Sequence, residues 1–178
     1  MQTFIHETAE IEAGVTLGTG TRIWHYSHLR KDAEIGPDCV LGRNVFVDSG
    51  VRVGAGVKIQ NNVSVYRGVE LGDRVFVGPC VVFTNDLRPR AFEDDWQITP
   101  TRVLTGASLG ANATIVCGVE IGAYAMVAAG SVVTRDVAAH QLVMGNPARP
   151  HGWVCRCGRV VSRSAGKPDD LNCAACRP

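Results

Sequence analysis

The chain has 178 residues, 18 basic and 17 acidic, for a formal net charge of +1. Charges so nearly cancelled give no general attraction for polyanions, so nucleic acid is not an expected partner. No apolar run approaches the roughly 18 residues of a membrane span, and "MQTFIHETAE" lacks the basic-then-apolar layout of a signal peptide, so a cytoplasmic protein with no membrane partner is expected.

An interval of six residues starts near the N-terminus. Ile5, Ile11, Leu17, Ile23, Leu29, Ile35, Leu41, Val47, Val53, Ile59, Val65, Leu71, Val77 and Phe83 are all apolar, and four places after nearly every one stands a small or β-branched residue, from Ala9 and Val15 to Val75 and Val81. Neither a helical period of 3.6 nor simple strand alternation produces this interval. A triangular prism does, if each hexad supplies one short strand and one corner and three hexads complete a coil. The aliphatic residue then fills the interior, and the Gly, Asn and Asp of "LGTG", "IGPD", "LGRN" and "VGAG" serve corners that need unusual backbone angles. About twenty hexads give about seven coils of an all-β parallel β-helix, a solenoid stabilised coil against coil.

The phase fails after Phe83, within "VVFTNDLRPRA", and returns two residues displaced at Val103, Leu109, Ile115, Ile121, Val127 and Val133. A shifted phase marks an insertion, so a projecting loop is predicted over about 84–102 of a prism domain spanning 1–150. After Trp153 the hexads cease. "CRCGRVVSRSAGKPDDLNCAAC" places Cys155, Cys157, Cys173 and Cys176 in two close pairs with fifteen residues between them. Seven cysteines, an odd count, without an export signal favour metal or free thiol over disulfides. Two thiolate pairs in so short a segment suit a tetrahedral Zn2+, giving a zinc-ribbon-like tail over 151–178. The first pair is CxC and not the usual CxxC, and redox thiols or an unstructured tail are the other readings.

The repeat resembles that of the hexapeptide-repeat acyltransferases. "RIWHYSHLRKDAEIGPDCVLGRNVFV", "KIQNNVSVYRGVEL", "VFVGPCVVFTNDLRPRA" and "GASLGANATIVCGVEIGAYAMVAAGSVVTRDV" together resemble the bacterial N-acetyltransferases that acylate the 3-amino group of a nucleotide-linked sugar. The nearest resemblance is to the UDP-2-acetamido-3-amino-2,3-dideoxyglucuronate enzymes, with dTDP-3-amino-3,6-dideoxyhexose enzymes as the sister group. The resemblance covers residues 5 to about 153 and implies a left-handed β-helix, a homotrimer with active sites between prisms, acetyl-CoA as co-substrate, and a place in surface polysaccharide or O-antigen biosynthesis.

It also implies site residues. Asn85 matches the asparagine that contacts the reacting amine. An amide cannot serve as a general base, so its part would be positioning, with the proton passing to the departing sulfur or to another group. His25, His28 and Asp86 are the candidates for that group; the histidines read equally as outward surface or subunit-interface residues, and Asp86 as a loop anchor. Gln60, Asn61 and Asn62 form a polar corner open to ligand binding or to structural stacking. Tyr66 lies outward, with Arg67 beside it, near the next corner, facing substrate or solvent. Arg88 and Arg90 carry planar guanidinium groups suited to a diphosphate or a sugar carboxylate. Ala107, Ala129 and Gly130 are expected where the pantetheine of CoA passes backbone groups, and Arg149 at a CoA phosphate. A zinc-dependent carbonic anhydrase on the same prism would need histidines on the middle coils, whereas residues 29–139 have none. A non-catalytic scaffold would have no need of the off-phase loop.

Overall fold

In the computed structural model, which describes residues 2–176, the hexads form two-residue strands joined by tight corners, as at Arg22–Ile23, His28–Leu29 and Glu34–Ile35. Strands pair in parallel with the strand 18 residues on, Arg22 with Val40 and Ile23 with Leu41. Three hexads therefore make one coil. The first face carries eight parallel strands from Phe4–Ile5 to Gln141–Met144, the second seven and the third six. We call the corner between first and second faces the first edge, that between second and third the second edge, and the remaining one the third edge.

One inward residue per strand builds the core. Ile23, Leu29, Leu41, Val47, Ile59 and Val65 are fully buried, and so are the small companions Ala33, Cys39, Val57 and Val63. Where the companion is a hydroxyl residue it still has a partner: Thr21 and Ser27 donate to the carbonyls of Gly36 and Gly42, each at 2.8 Å. Ile5, in the first coil, is 44% exposed because it is covered on one side only. At the first edge one residue per coil takes the left-handed backbone: Tyr26, Asn44, Asn62, Cys80 and Asn112 all have φ between 56° and 60°. Asn tolerates that region better than most residues. Gly110 is required for another reason, since a Cβ there would lie 2.4 Å from the backbone nitrogen of Ala129 in the next coil.

The outward side chains differ by face. The third carries Glu34, Arg52, Glu70, Arg102 and Glu120 in alternating sign, with Glu34–Arg52 at 3.6 Å and Glu70–Arg102 at 4.0 Å. The others carry apolar groups among the polar ones, including Phe4, Phe76 and Val82. Among the described residues no helix is long and apolar enough to cross a membrane.

Across the loop the pairing step becomes 32, Phe76 with Ser108, against 18 in the coils before it, so 14 residues are added. The loop ends sooner than the phase predicts. Thr101 and Arg102 already pair with Val69 and Glu70, because the strand starts two residues before its inward Val103. Thr101 is buried and its hydroxyl has no partner among the described residues. At the other end Arg149–Val154 turns back antiparallel on Gln141–Met144, and Val160–Ser162 pairs with it in turn. The first strand of the tail thus crosses residue 150 and extends the first face.

Phe83 is the largest of the fully buried side chains. Phe83→Ala is expected to cost about 3–5 kcal/mol, read as a lowered denaturant midpoint; a cost below about 1 kcal/mol would contradict its packing.

Candidate active site

Along the second edge, corner groups from successive coils hydrogen-bond into a continuous ladder. His28 Nε2 lies 2.8 Å from Glu12 Oε1, and Lys31 N–H donates to Glu12 Oε2 at 2.8 Å. Arg30 spans Glu12 and Asp48, reaching Asp48 Oδ1 at 3.1 Å. Asp48 Oδ2 accepts the Arg67 N–H at 3.2 Å, and Asn85 Nδ2 donates to the Arg67 carbonyl at 3.4 Å. The Lys31 amide, then the His28 imidazole and the Arg30 guanidinium, hold the Glu12 carboxyl below its ordinary value. The ladder ends at Asn85, where the loop begins.

Asn85 is also the loop's hinge point. Its carbonyl accepts the Thr99 N–H at 2.9 Å, which ties the two ends of the excursion together. Below it, Thr84 Oγ1 accepts the Cys117 N–H at 2.9 Å and fixes the residue after the strand Val82–Phe83 to the next coil. Asn85 Oδ1 has no partner among the described residues. Asp86 is turned into the loop, its Oδ1 accepting the Arg88 N–H at 2.7 Å, which is the anchoring geometry of an Asx turn. The loop forms from its own residues two adjoining hollows of about 680 and 510 Å3, lined by Asp86, Arg90, Glu93 and Trp96 in both, with Arg88 in one and Asn85 in the other. Phe92, Leu87 and Trp96 are exposed there.

The other predicted residues lie elsewhere. His25, Gln60 and Asn61 line a shallow hollow of about 300 Å3 on the first edge. His25 stacks on His6 at 3.5 Å between ring centres. Asn61 Oδ1 accepts the Arg43 N–H at 2.8 Å, and Asn62 accepts from Asn44 Nδ2 at 3.2 Å, so both asparagines also serve as corner stacks. Tyr66 is exposed beside the second edge, against Phe46 at 6.0 Å. Ala129 and Gly130 are exposed at the first edge, whereas Ala107 is fully buried at the third edge with its N–H bonded to Leu104. Arg149 is exposed, donating to the Ala148 carbonyl at 2.9 Å. One chain therefore gathers Asn85, Asp86, Arg88 and Arg90 with the Tyr66–Arg67 corner, and leaves His25, Gln60, Asn61 and Asn62 on another edge. Sequence reasoning overlooked Glu12, Asp48, Trp96 and Thr99. For Asp48 and Trp96 the available signals were a carboxylate in a corner and an indole in an otherwise polar loop.

The cysteines of the tail converge. The sulfurs of Cys155, Cys157, Cys173 and Cys176 lie within 4.8 Å of one another, the one such cluster of His, Cys, Asp or Glu ligands among the described residues. Amide N–H groups of Cys157 and Cys173 aimed at the Cys155 sulfur bring its thiol down to about 6, while the proton of Cys176, shared with the three other sulfurs, is held up to about 12.

Comparison with known proteins agrees with the repeat architecture. A family model described as bacterial transferase hexapeptide (six repeats) matches residues 50–85, and one described as the hexapeptide repeat of succinyl-transferase matches 105–135. The two matches flank the loop. A dTDP-3-amino-3,6-dideoxy-alpha-D-galactopyranose 3-N-acetyltransferase of Aneurinibacillus thermoaerophilus is 44% identical over 154 residues, covering 86% of this chain and 80% of that one. The chain belongs to the hexapeptide-repeat sugar-nucleotide N-acetyltransferases. Its prism is thus a left-handed β-helix, the exception to the right-handed crossover rule. A hexapeptide-repeat acetyltransferase of Vibrio cholerae O1 biovar eltor, solved with acetyl coenzyme A, is 28% identical with a TM-score of 0.58 over 65% of this chain and 67% of its own. A hexapeptide transferase family protein of Anaplasma phagocytophilum, 19% identical, shares the fold with a TM-score of 0.59 over 82% of this chain and 79% of its own.

Because its charged form is favoured when folded, Glu12 contributes stability that is full above the ordinary carboxylate range and is lost as pH falls through its lowered value. Its side-chain carbon is expected to titrate below 4.5 by NMR; a midpoint at or above that value would break the ladder's first link.

Proposed function

We propose that this N-acetyltransferase transfers the acetyl group of acetyl-CoA to the 3-amino group of a nucleotide-linked amino sugar, at the second edge under the loop. The observation that carries the reading is Asn85. It ends the ladder, hinges the loop, and keeps Oδ1 free to accept one amine N–H. Accepting that hydrogen turns the nitrogen lone pair toward the thioester carbonyl, and positioning of this kind supplies a large share of an acyl transfer's rate. The nitrogen attacks the carbonyl carbon, the C–S bond breaks as the tetrahedral species collapses, and the proton lost by nitrogen ends on the CoA sulfur. The products are the amide and free CoA thiol. Asp86 holds the loop's turn, and Arg88 and Arg90 would meet the diphosphate of the sugar nucleotide.

A homotrimer completes the site. Gln60, Asn61, Asn62 and His25 lie an edge away from Asn85, so their part in binding requires the first edge of a second copy facing the second edge of the first. His28, held through Nε2 by Glu12, orients the end of the ladder far from Asn85. In the same assembly CoA would run past Ala129 and Gly130, with Arg149 at a phosphate; the bonded amide of Ala107 is the weakest member of that set. A Zn2+ at Cys155, Cys157, Cys173 and Cys176 would serve the tail and lies outside this chemistry.

The 44% identical relative favours a dTDP-3-amino-3,6-dideoxyhexose as substrate. A UDP-linked 3-amino-uronate is the second substrate class, favoured by likeness elsewhere in the prism. Either product would feed cytoplasmic synthesis of surface polysaccharide or O-antigen.

The reading is tested by CoA thiol release from acetyl-CoA across a panel of dTDP- and UDP-linked 3-amino sugars. Asn85→Ala should lower kcat/KM at least about 10²-fold with the melting temperature unchanged. Thiol release with none of the 3-amino sugars would overturn the assignment. In light scattering the native enzyme should have the mass of three chains, and a monomer with full activity would remove the shared site.

A further inference from the structure

The tail raises a question that the acetyltransferase reading does not answer, namely what holds residues 163–176 in place. They form no strand, and between Arg163 and Cys176 the one large apolar side chain is Leu171. A segment of this kind buries too little apolar surface to offset its ordering entropy. Beyond Ser164, whose carbonyl the Trp153 indole holds, its ties include short-range ones such as Asn172 N–H to Asp170 and Cys176 N–H to the Cys173 carbonyl, at 2.8 and 2.9 Å. Its long-range convergence is on sulfur.

The other half of that convergence is rigid. Cys155 follows directly on Arg149–Val154, is itself buried, and bonds its N–H to the Arg159 carbonyl at 2.8 Å. The Gly158 N–H returns to the Cys155 carbonyl at 2.8 Å, closing a tight turn around Cys157. Gly158 has φ +87° and lies so close to the prism that a Cβ would come 2.9 Å from Met126 Cε. Trp153 donates its indole N–H to the Ser164 carbonyl at 3.1 Å, on the way into the strandless segment. All four cysteines are free thiols. Cys157 and Cys173 approach to 3.5 Å between sulfurs, and all four sulfurs lie within 4.8 Å. Four thiolates at about 2.3 Å from a central Zn2+ stand about 3.8 Å apart along the tetrahedron's edges. Separations from 3.5 to 4.8 Å bracket that value. The amides of Cys157 and Cys173 facing the Cys155 sulfur, and that of Ala175 facing Cys173, are the outer hydrogen bonds that orient a metal thiolate.

We propose that Cys155, Cys157, Cys173 and Cys176 bind one Zn2+ as a tetrathiolate site, and that this ion is the clasp that fastens residues 163–176 to the end of the prism. The CxC pair suffices because the strand-to-turn geometry after Val154 brings both of its sulfurs to one side. A soft, closed four-sulfur set selects zinc over magnesium or calcium, and with all four positions filled by protein the ion is structural and not catalytic. Filling the site also fixes Arg156, held between two ligands, in the wall of a cavity of about 580 Å3 that it shares with Arg74 and Tyr124.

The test is metal analysis of the full chain, purified reduced and without chelator. About one zinc per chain is expected, released when the thiols are titrated with an organomercurial. Cobalt substitution should give the visible spectrum of tetrahedral Co2+ bound to thiolates. The double variant Cys173→Ser/Cys176→Ser should lose the metal, keep the β circular dichroism of the prism, and be cleaved by trypsin after Arg163 at least roughly tenfold faster. Absence of metal in the fully reduced native chain, iron in its place, full zinc retention by the double variant, or unchanged cleavage each overturns the proposal. If the variant fails to fold, the native metal content and cobalt spectrum decide. None of these readouts requires acetyl transfer, so the clasp and the enzyme assignment fail separately.

Discussion

The structure rests on backbone hydrogen bonds between neighbouring coils, which along the strands run to the next coil. Arg22 N–H goes to Cys39, Val40 to Val57, Lys58 to Val75 and Phe76 to Ala107, all between 2.8 and 3.0 Å. Each coil is thus the template for the one beside it, and a strand of two residues is stable only because its neighbours have the same length and phase. A residue added within a strand would turn every later inward side chain outward. Added length is accommodated at a corner, where the chain leaves the ladder and re-enters it. The loop obeys this rule: it leaves after Phe83, returns at Thr101, and beyond it Val82 and Phe83 still pair in register with Thr114 and Ile115.

This ladder also explains why the fold was legible and the site only partly so. A core position every sixth residue leaves a direct trace in the sequence, because each position is a separate burial requirement. Ile23 to Phe83 and Val103 to Val133 are buried as the interval requires. The loop was visible as lost phase, and the cysteine tail as a change of composition. The ladder from Glu12 to Asn85 was not, because its members are 16 to 19 residues apart and become neighbours only through coil stacking. Nothing in a single corner such as "VDSG" shows that its carboxylate will meet the amide of Arg67. Likewise, the separation of His25, Gln60, Asn61 and Asn62 from Asn85 depends on which edge each corner occupies, which requires counting hexads in threes.

The three faces divide the labour of the prism. Alternating Glu and Arg on the third make a wet surface whose pairs, exposed as they are, contribute little to stability. The second edge carries the connected polar groups and the loop, and the first face accepts the antiparallel strands of the tail. A tail laid along the end of a solenoid answers the problem common to these architectures, that the terminal coil has no successor to bury it. Here Leu142, Val143, Trp153 and Val154 are buried by that addition.

The contact between the Asn85 carbonyl and the Thr99 amide separates two kinds of heritable change. Residues between those two points belong to no strand, so the coils on either side do not depend on what the intervening segment contains or how long it is. A lineage carrying this prism can exchange that segment as a cassette, drifting in the side chains it displays while the coils that keep the chain folded stay under their own, separate selection.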